Sequence, residues 1–112
     1  MKYLGISEGF HDAAVAHMED NKILFATQAE RYSRVKNDKH LPIEFKKLEC
    51  DQSFFYEDTE LKNARRVFSG MKPTDNGKFI SNHARHHESH MAAAYYTAPF
   101  VPDVTVVIDA IG

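Results

Sequence analysis

Three strand-like stretches separated by short turns fill residues 3 to 30, and they restrict the possible folds more than any other feature. YLGIS at residues 3 to 7 alternates in hydropathy, Ala13 to Met18 is an apolar run, and ILFATQAE ends at residue 30. The tripeptide DNK at residues 20 to 22 is a turn signal between the second and third stretches. The pattern therefore predicts three strands, of which the last two form a hairpin.

Helical patterns follow this strand-rich start. Residues 30 to 40 are rich in charge, which predicts a loop or a short helix. The simplest interpretation of this segment is a solvated connector. Pro42 favours the start of a short helix over the next eight residues, in which Ile43, Phe45 and Leu48 share one apolar face. A longer helix is expected around Thr59 to Phe68, with Thr59 itself as the N-cap.

The run VTVVIDAIG at residues 104 to 112 has the β-branched apolar composition of a strand that is buried on both faces. A short strand at residues 78 to 82 precedes it, separated by a helix that should stop at Pro99. Strands alternating with helices in this order predict an α/β fold with a mixed sheet. The last run has no element after Gly112 to cover it, so we expect residues 1–112 to be part of a longer protein.

The composition is that of an ordinary globular domain and excludes few functions. A formal net charge of -2 gives no general attraction to nucleic acid or to anionic membranes. Cys50 has no second cysteine to pair with, and no apolar run reaches the length of a membrane span. We therefore expect a cytoplasmic protein with no membrane partner and without nucleic acid as a favoured partner.

Four of the seven histidines lie between residues 83 and 90, directly before an apolar segment. A helix that starts near His86 places His86 and His90 on one face, where two neutral imidazoles can bind zinc, iron, copper or nickel. The metalloprotease pattern H-E-x-x-H is excluded because Met91 stands where its second histidine would be. The competing interpretation is a group of solvated or hydrogen-bonded histidines, since two ligands alone do not make a site.

Polar turns follow the first and the last predicted strands. Gly5, Ser7 and Gly9 are small enough for a ligand to approach the backbone, although a short Gly/Ser loop is usually only a turn. The strand ends of an open α/β sheet commonly bind ligands. The fold could therefore bring His11, Asp12 and Asp109 to the face that carries His86 and His90. A carboxylate among them would then complete a set of two histidines and one carboxylate.

Four ordered motifs resemble the start of the NodU/CmcH family of O-carbamoyltransferases. They are GISEGFHDAAVA at residues 5 to 16, ERYSRVKND at 30 to 38, HHESHMAAAY at 86 to 95 and VVIDAIG at 106 to 112. The resemblance implies the N-terminal half-lobe of an actin-like ATPase fold, which is shared with acetate and sugar kinases, heat-shock chaperones and actin. The catalytic module of this family also resembles the enzyme that makes threonylcarbamoyladenosine in tRNA.

The resemblance assigns roles to individual residues. His86, His90 and Asp109 correspond to metal ligands, with a further family aspartate beyond Gly112. His11 of the H-D motif, followed by Asp12, is the candidate catalytic base. The nucleotide-facing loops correspond to Gly5, Ile6 and Ser7 and to Asp109 through Gly112. Ala110 replaces the glycine that commonly follows the family aspartate, and Met91 replaces an alanine, so the nucleotide geometry departs from the pattern more than the metal ligands do.

The implied reaction transfers a carbamoyl group from carbamoyl phosphate, through carbamoyl-adenylate, to the hydroxyl of a small sugar-like or antibiotic-like acceptor. The implied cofactors are ATP or ADP and a divalent metal, with iron ranked before zinc. The downstream remainder of the chain would be a partner, and residues 1–112 alone should show no turnover. Two alternatives stay open: a threonylcarbamoyl transferase acting on tRNA, and a non-catalytic metal-binding or interaction domain.

Overall fold

The first three strands form an antiparallel meander. In the computed structural model, which describes residues 1–75, 77, 80 and 82–109, they are β1 (Lys2–Ser7), β2 (Ala14–Glu19) and β3 (Lys22–Gln28). β1 pairs antiparallel with β2, and β2 pairs antiparallel with β3 around the turn at Asp20, which adopts a positive φ of 50°. The hairpin expected from the turn signal is confirmed.

Two parallel strands extend the sheet on the other side of β1. The short helices α1 (Glu30–Ser33) and α2 (Ile43–Lys46) lead to β4 (Gln52–Phe55), and β5 (Asn82–His83) lies outside β4. The sheet order is β3-β2-β1-β4-β5, with parallel pairing from β1 to β4 and from β4 to β5. The chain is therefore an α/β protein with a mixed five-stranded sheet, as the order of elements predicts.

β4 is absent from the sequence-based assignment. The run QSFF is only four residues long and begins with two polar residues, so it carries too little alternation to be distinguished from a loop. It becomes a strand because the connection from β3, residues 29–51, returns it to the exposed edge of β1, where Tyr3 aligns with Gln52 and Ile6 aligns with Phe55. Tertiary pairing, rather than local composition, defines this element.

Two longer helices complete the described structure. α3 (Thr59–Phe68) has the expected extent, but its N-cap is Asp58, whose carboxylate accepts hydrogen bonds from the backbone N–H groups of Glu60 and Leu61. The prediction of Thr59 as the cap is wrong by one residue. α4 (His86–Thr97) begins at the predicted histidine and ends before Ala98 and Pro99.

The apolar run near the end of the described chain does not form the predicted strand. Residues 104–109 have no regular secondary structure, and Val104, Val106 and Ile108 are 78%, 71% and 90% exposed. A β-branched run becomes a strand only where a neighbouring strand supplies backbone hydrogen bonds and other side chains pack against its apolar face. Among the described residues the nearest parallel edge, β5, is only two residues long. Ala110, Ile111 and Gly112 lie outside the described residues.

The core lies on one face of the sheet. Strand alternation sends Leu4 and Ile6 of β1, Val15 of β2 and Phe55 of β4 to this face, where each is at most 3% exposed. Leu41 and Ile80 cover them from the connections. None of the helices in the described part of the chain combines the length and the hydropathy that a bilayer crossing requires.

Candidate functional site

His86 and His90 lie one helical turn apart on α4 and point at the same place. Their Nε2 atoms are 3.2 Å apart, and Asp109 Oδ2 lies 2.5 Å from His86 Nε2 and 3.7 Å from His90 Nε2. One ligand atom from each of the three residues lies within 4.8 Å of the other two. The structure thus brings together the three residues that the sequence pattern and the family resemblance grouped, although Asp109 follows an irregular segment rather than a strand.

The dimensions of this group fit a transition-metal ion. Metal–nitrogen and metal–oxygen bonds of about 2.0–2.2 Å around a tetrahedral ion separate neighbouring ligand atoms by roughly 3.4 Å. The separations of 3.2 and 3.7 Å lie on either side of that value, whereas the 2.5 Å between His86 Nε2 and Asp109 Oδ2 is a direct hydrogen bond that would have to lengthen for both atoms to bind one ion. Two imidazole nitrogens and one carboxylate suit zinc or iron rather than magnesium or calcium, and three protein ligands leave a coordination position for another molecule.

The first turn of α4 is attached to the end of β4. The Ser89 hydroxyl donates a hydrogen bond of 2.8 Å to the Tyr56 carbonyl, and the Ala84 N–H donates one of 2.9 Å to the Phe55 carbonyl. The ring of Tyr56 contacts the ring of His86 edge-on, with centroids 6.0 Å apart. These contacts fix the start of the helix and therefore the direction of the two imidazoles.

Tyr56 remains a neutral hydrogen-bond donor beside His86. Partial burial raises the pKa of its phenol well above the ordinary value of 10, and a hydrogen bond to Glu57 adds to the increase. Lys62 forms an ion pair with Glu57, which keeps this carboxylate in place. Sequence analysis assigned no role to Tyr56 or Ser89, because Tyr56 lies outside the four motifs and Ser89, although within the motif at residues 86 to 95, is not one of its metal-ligand candidates.

The turn between β1 and β2 holds the second polar pair. His11 Nδ1 lies 2.6 Å from Asp12 Oδ2, so the carboxylate accepts the Nδ1 proton and the Nε2 atom is left as the basic nitrogen. The His11 side chain is 60% exposed. Asp12 has a positive φ of 48°, which places a non-glycine residue in the left-handed region at this position.

Backbone hydrogen bonds attach this turn to residues 37–39. The N–H groups of Gly9, Asp12 and Ala13 donate to the carbonyls of Lys39, Asn37 and Asp38, over 2.9, 3.3 and 2.7 Å. The Ser33 hydroxyl, and after it the His40 N–H, stabilise the Asp38 carboxylate and lower its pKa below the ordinary value of 3.8. The charge-rich segment is therefore a support for the His11 turn as well as a connector.

Glu8 anchors the turn from inside the protein. It is 3% exposed, and its Oε2 atom accepts the Leu41 N–H at 2.7 Å and pairs with Lys46 Nζ at 2.7 Å. A buried carboxylate needs such partners because the protein interior solvates it poorly. In the sequence Glu8 looks like a turn residue, and only the tertiary structure reveals the pairing.

The other predicted site residues are distributed differently. Gly5 and Ile6 lie within β1, between β2 and β4, and the Ile6 carbonyl accepts the Tyr56 N–H at 3.1 Å. Ser7 is the last residue of the strand, so an open loop begins only after it. His11 and Asp12 are not members of the three-residue metal-capable group. Gly112 lies outside the described residues.

Comparison with known proteins gives a coarse class. Residues 2–49, somewhat less than half of the chain, match the family model described as "Carbamoyltransferase N-terminus". The match covers the His11 turn and its support but not α4 or Asp109. It supports a relationship to the carbamoyltransferases.

A curated relative extends the similarity along the chain. The "Uncharacterized protein sll1178" of Synechocystis sp. (strain ATCC 27184 / PCC 6803 / Kazusa) is 26% identical over 157 aligned positions, which include 97% of this chain. The chain spans about a quarter of the length of this relative. Because the alignment is longer than the chain, the relative has residues within the matched region that have no counterpart here.

Proposed function

We propose that residues 1–112 form the N-terminal part of an O-carbamoyltransferase of the NodU/CmcH type, built on the actin-like ATPase fold. The whole enzyme would move a carbamoyl group from carbamoyl phosphate, through carbamoyl-adenylate, to an acceptor hydroxyl. The family match over residues 2–49 supports the carbamoyl chemistry, and the strand order β3-β2-β1-β4-β5 is compatible with the fold.

His11 is the proposed base. Its Nδ1–H is directed to Asp12, so its Nε2 lone pair can accept the proton of the acceptor hydroxyl as the oxygen attacks the carbamoyl carbon of carbamoyl-adenylate, whose bond to the AMP oxygen breaks as AMP leaves. Asp12 would hold the ring in this tautomer and stabilise the imidazolium that forms. The high exposure of the His11 side chain leaves room for a bound acceptor.

His86, His90 and Asp109 are the proposed metal ligands, with iron ranked before zinc. A bound divalent cation would supply Lewis-acid polarisation of the carbamoyl anhydride. The residues themselves need only keep two neutral imidazole nitrogens and one carboxylate oxygen directed to one point, which the attachment of α4 to β4 favours.

ATP or ADP would bind at the end of β1. Ser7 ends the strand beside the proposed nucleotide loop, and the corresponding second loop would run from Asp109 to Gly112. The packing of the sheet does not require glycine at position 5, since a β-carbon there would make only ordinary contact with the Ala16 carbonyl, 3.9 Å away. Replacement of Gly5 by alanine is therefore expected to be tolerated by the fold.

The observation that carries the proposal is the convergence of His86, His90 and Asp109 in a chain whose first half matches carbamoyltransferases. The test is carbamoyl transfer by the full-length protein with ATP, carbamoyl phosphate and a panel of alcohols. His90→Ala should abolish transfer and metal binding. His87→Ala, an exposed neighbour outside the ligand group, is the matched control and should retain both. Undiminished transfer by His90→Ala would reject the metal role.

A non-catalytic metal-binding domain is the second candidate, because the ligand group lies wholly within this chain. It predicts metal binding without carbamoyl transfer by the full-length protein. The net charge of -2 does not favour the tRNA alternative.

A further inference from the structure

A groove lies on the face of the sheet opposite the core. Strand alternation puts small residues on this face, and the first half of α4 lies beside it. The groove is open to solvent and has a volume of about 890 Å³, and its floor and wall contain Gly5, Ala14, Ala16, Ala26, Ala92 and Ala93. A volume of this size is typical of a small-molecule site.

The groove is lined by residues that connect to the two polar centres, although His11, His86, His90 and Asp109 are not among its lining residues. Ser7, at its edge, precedes the turn that carries His11, and Tyr56 and Ser89, also at its edge, are the residues that attach the His86 face to the sheet. A molecule in the groove would therefore contact Ser7, Tyr56 and Ser89, the residues through which the groove is connected to the two groups of the proposed chemistry.

The chemical character of the groove restricts what fits. Its surface is mainly apolar, with the aromatic ring of Phe54 beside the alanines. A polyhydroxylated sugar would leave many hydroxyl groups without partners here, at a cost of about 1–3 kcal/mol for each buried group. A flat, apolar molecule would instead be stabilised by contact with the small side chains.

Arg31 supplies a cation at the rim. It is exposed, and within the part of the chain that the structure describes no hydrogen bond or ion pair engages its guanidinium group. Glu88, also at the rim, is occupied by the Arg85 N–H, which donates to its Oε2 atom at 3.2 Å. An anionic group on the ligand would find a partner in Arg31.

We propose that this groove is the acceptor subsite and that the acceptor is a flat, largely apolar, hydroxyl-bearing acid whose anionic group pairs with Arg31. The role as acceptor subsite rests on the proposed function, whereas the binding of such molecules does not. The proposal excludes a simple sugar as the groove's occupant.

Anilinonaphthalene sulfonate, a flat apolar anion, is the probe. We expect saturable binding of one molecule per chain, followed by fluorescence, and about tenfold weaker binding of uncharged N-phenylnaphthylamine. Ala92→Phe fills the groove and should abolish binding. Ala94→Phe places the same ring on the same helix outside the groove lining and should not change it. Circular dichroism would verify folding, and Ala26→Phe fills the groove from β3 if Ala92→Phe does not fold.

Two further variants test the charge. Arg31→Gln should weaken sulfonate binding about tenfold and leave the uncharged analogue unaffected, while Arg34→Gln, exposed and outside the groove lining, should change neither. Equal binding by the Ala92→Phe and Ala94→Phe proteins, non-saturable binding, or no effect of Arg31→Gln would overturn the proposal. The binding measurements are made after chelation of metals and are repeated with His90→Ala, so they do not depend on the metal site. If the transferase assay fails while the probe still binds, the proposed function is rejected and the binding groove is not.

Discussion

The two polar centres of this protein are built in different ways. The His11 turn is held by three backbone hydrogen bonds to residues 37–39 and by buried Glu8 below it. The His86, His90 and Asp109 group has two members on one turn of α4, and its third member follows a segment whose Val106 and Ile108 are exposed.

The difference indicates which centre needs a ligand to become rigid. The position of His11 is fixed by the same contacts that form the domain, so the turn should be ordered whenever the chain is folded. Asp109 instead lies at the end of an irregular segment in which Val106 and Ile108 are exposed. A metal ion would link it to α4, and its binding free energy would add directly to the stability of this region.

The largest expected effect comes from removal of the Glu8 anchor. Glu8→Ala removes the buried ion pair between Glu8 and Lys46 and the Glu8 acceptor of the Leu41 N–H, and should lower the free energy of unfolding by about 3 kcal/mol. Urea denaturation measures the change. Glu49→Ala is the control, because its 3.8 Å pair with Lys2 is exposed and is expected to contribute under ~1 kcal/mol. Equal losses in the two variants would show that burial of the pair is unimportant.

Metal binding provides the next test. Zinc at one hundred times its dissociation constant should stabilise the protein by about 2.7 kcal/mol, measured by thermal unfolding with and without chelator. His90→Ala should remove this gain, and His87→Ala should keep it. Because protons compete with metal for imidazole, the gain should decrease as the pH falls. A pH-independent gain, or one retained by His90→Ala, would contradict the assigned ligands.

A smaller effect is expected from Ser89→Ala. Loss of its hydrogen bond to the Tyr56 carbonyl should cost about 1 kcal/mol of stability and weaken zinc binding at least several-fold, since α4 is then less firmly held. Denaturation and calorimetric titration measure the two quantities. Ser69→Ala, at the exposed end of α3, should change neither. Unaltered zinc affinity in Ser89→Ala would mean that the helix is positioned by other contacts.

The smallest expected effect is on the stability of the protein at low pH. The pKa of Asp38 is lowered in the folded protein, so its contribution to stability is present above its ordinary value of 3.8 and is lost as the pH falls through the lower folded value. An NMR titration of the Asp38 carboxylate should find this midpoint below 3.8. Ser33→Ala should move it upward, because the Ser33 hydroxyl is the main cause, and an unmoved midpoint would assign the shift to the His40 N–H instead.

Local sequence determined the antiparallel half of the sheet, the ends of α4 and the spacing of its histidines. Short turns, alternating hydropathy and the i, i+4 geometry of a helix act over a few residues, so the pattern alone predicts the hairpin at Asp20 and the shared face of His86 and His90. The grouping of Asp109 with them was predicted as well, by the convergence of strand ends and by family resemblance.

Tertiary structure decided the remainder. β4 has too few residues to be identified locally and exists because β1 offers a free parallel edge, whereas the far more strand-like residues 104–109 pair with none of the described strands and remain irregular. Glu8 is a second example, because its buried carboxylate is stabilised by Lys46 and by the Leu41 N–H, which lie 38 and 33 residues further along the chain. Strand pairing and the solvation of buried charge both depend on distant partners, and no short window of sequence contains those partners.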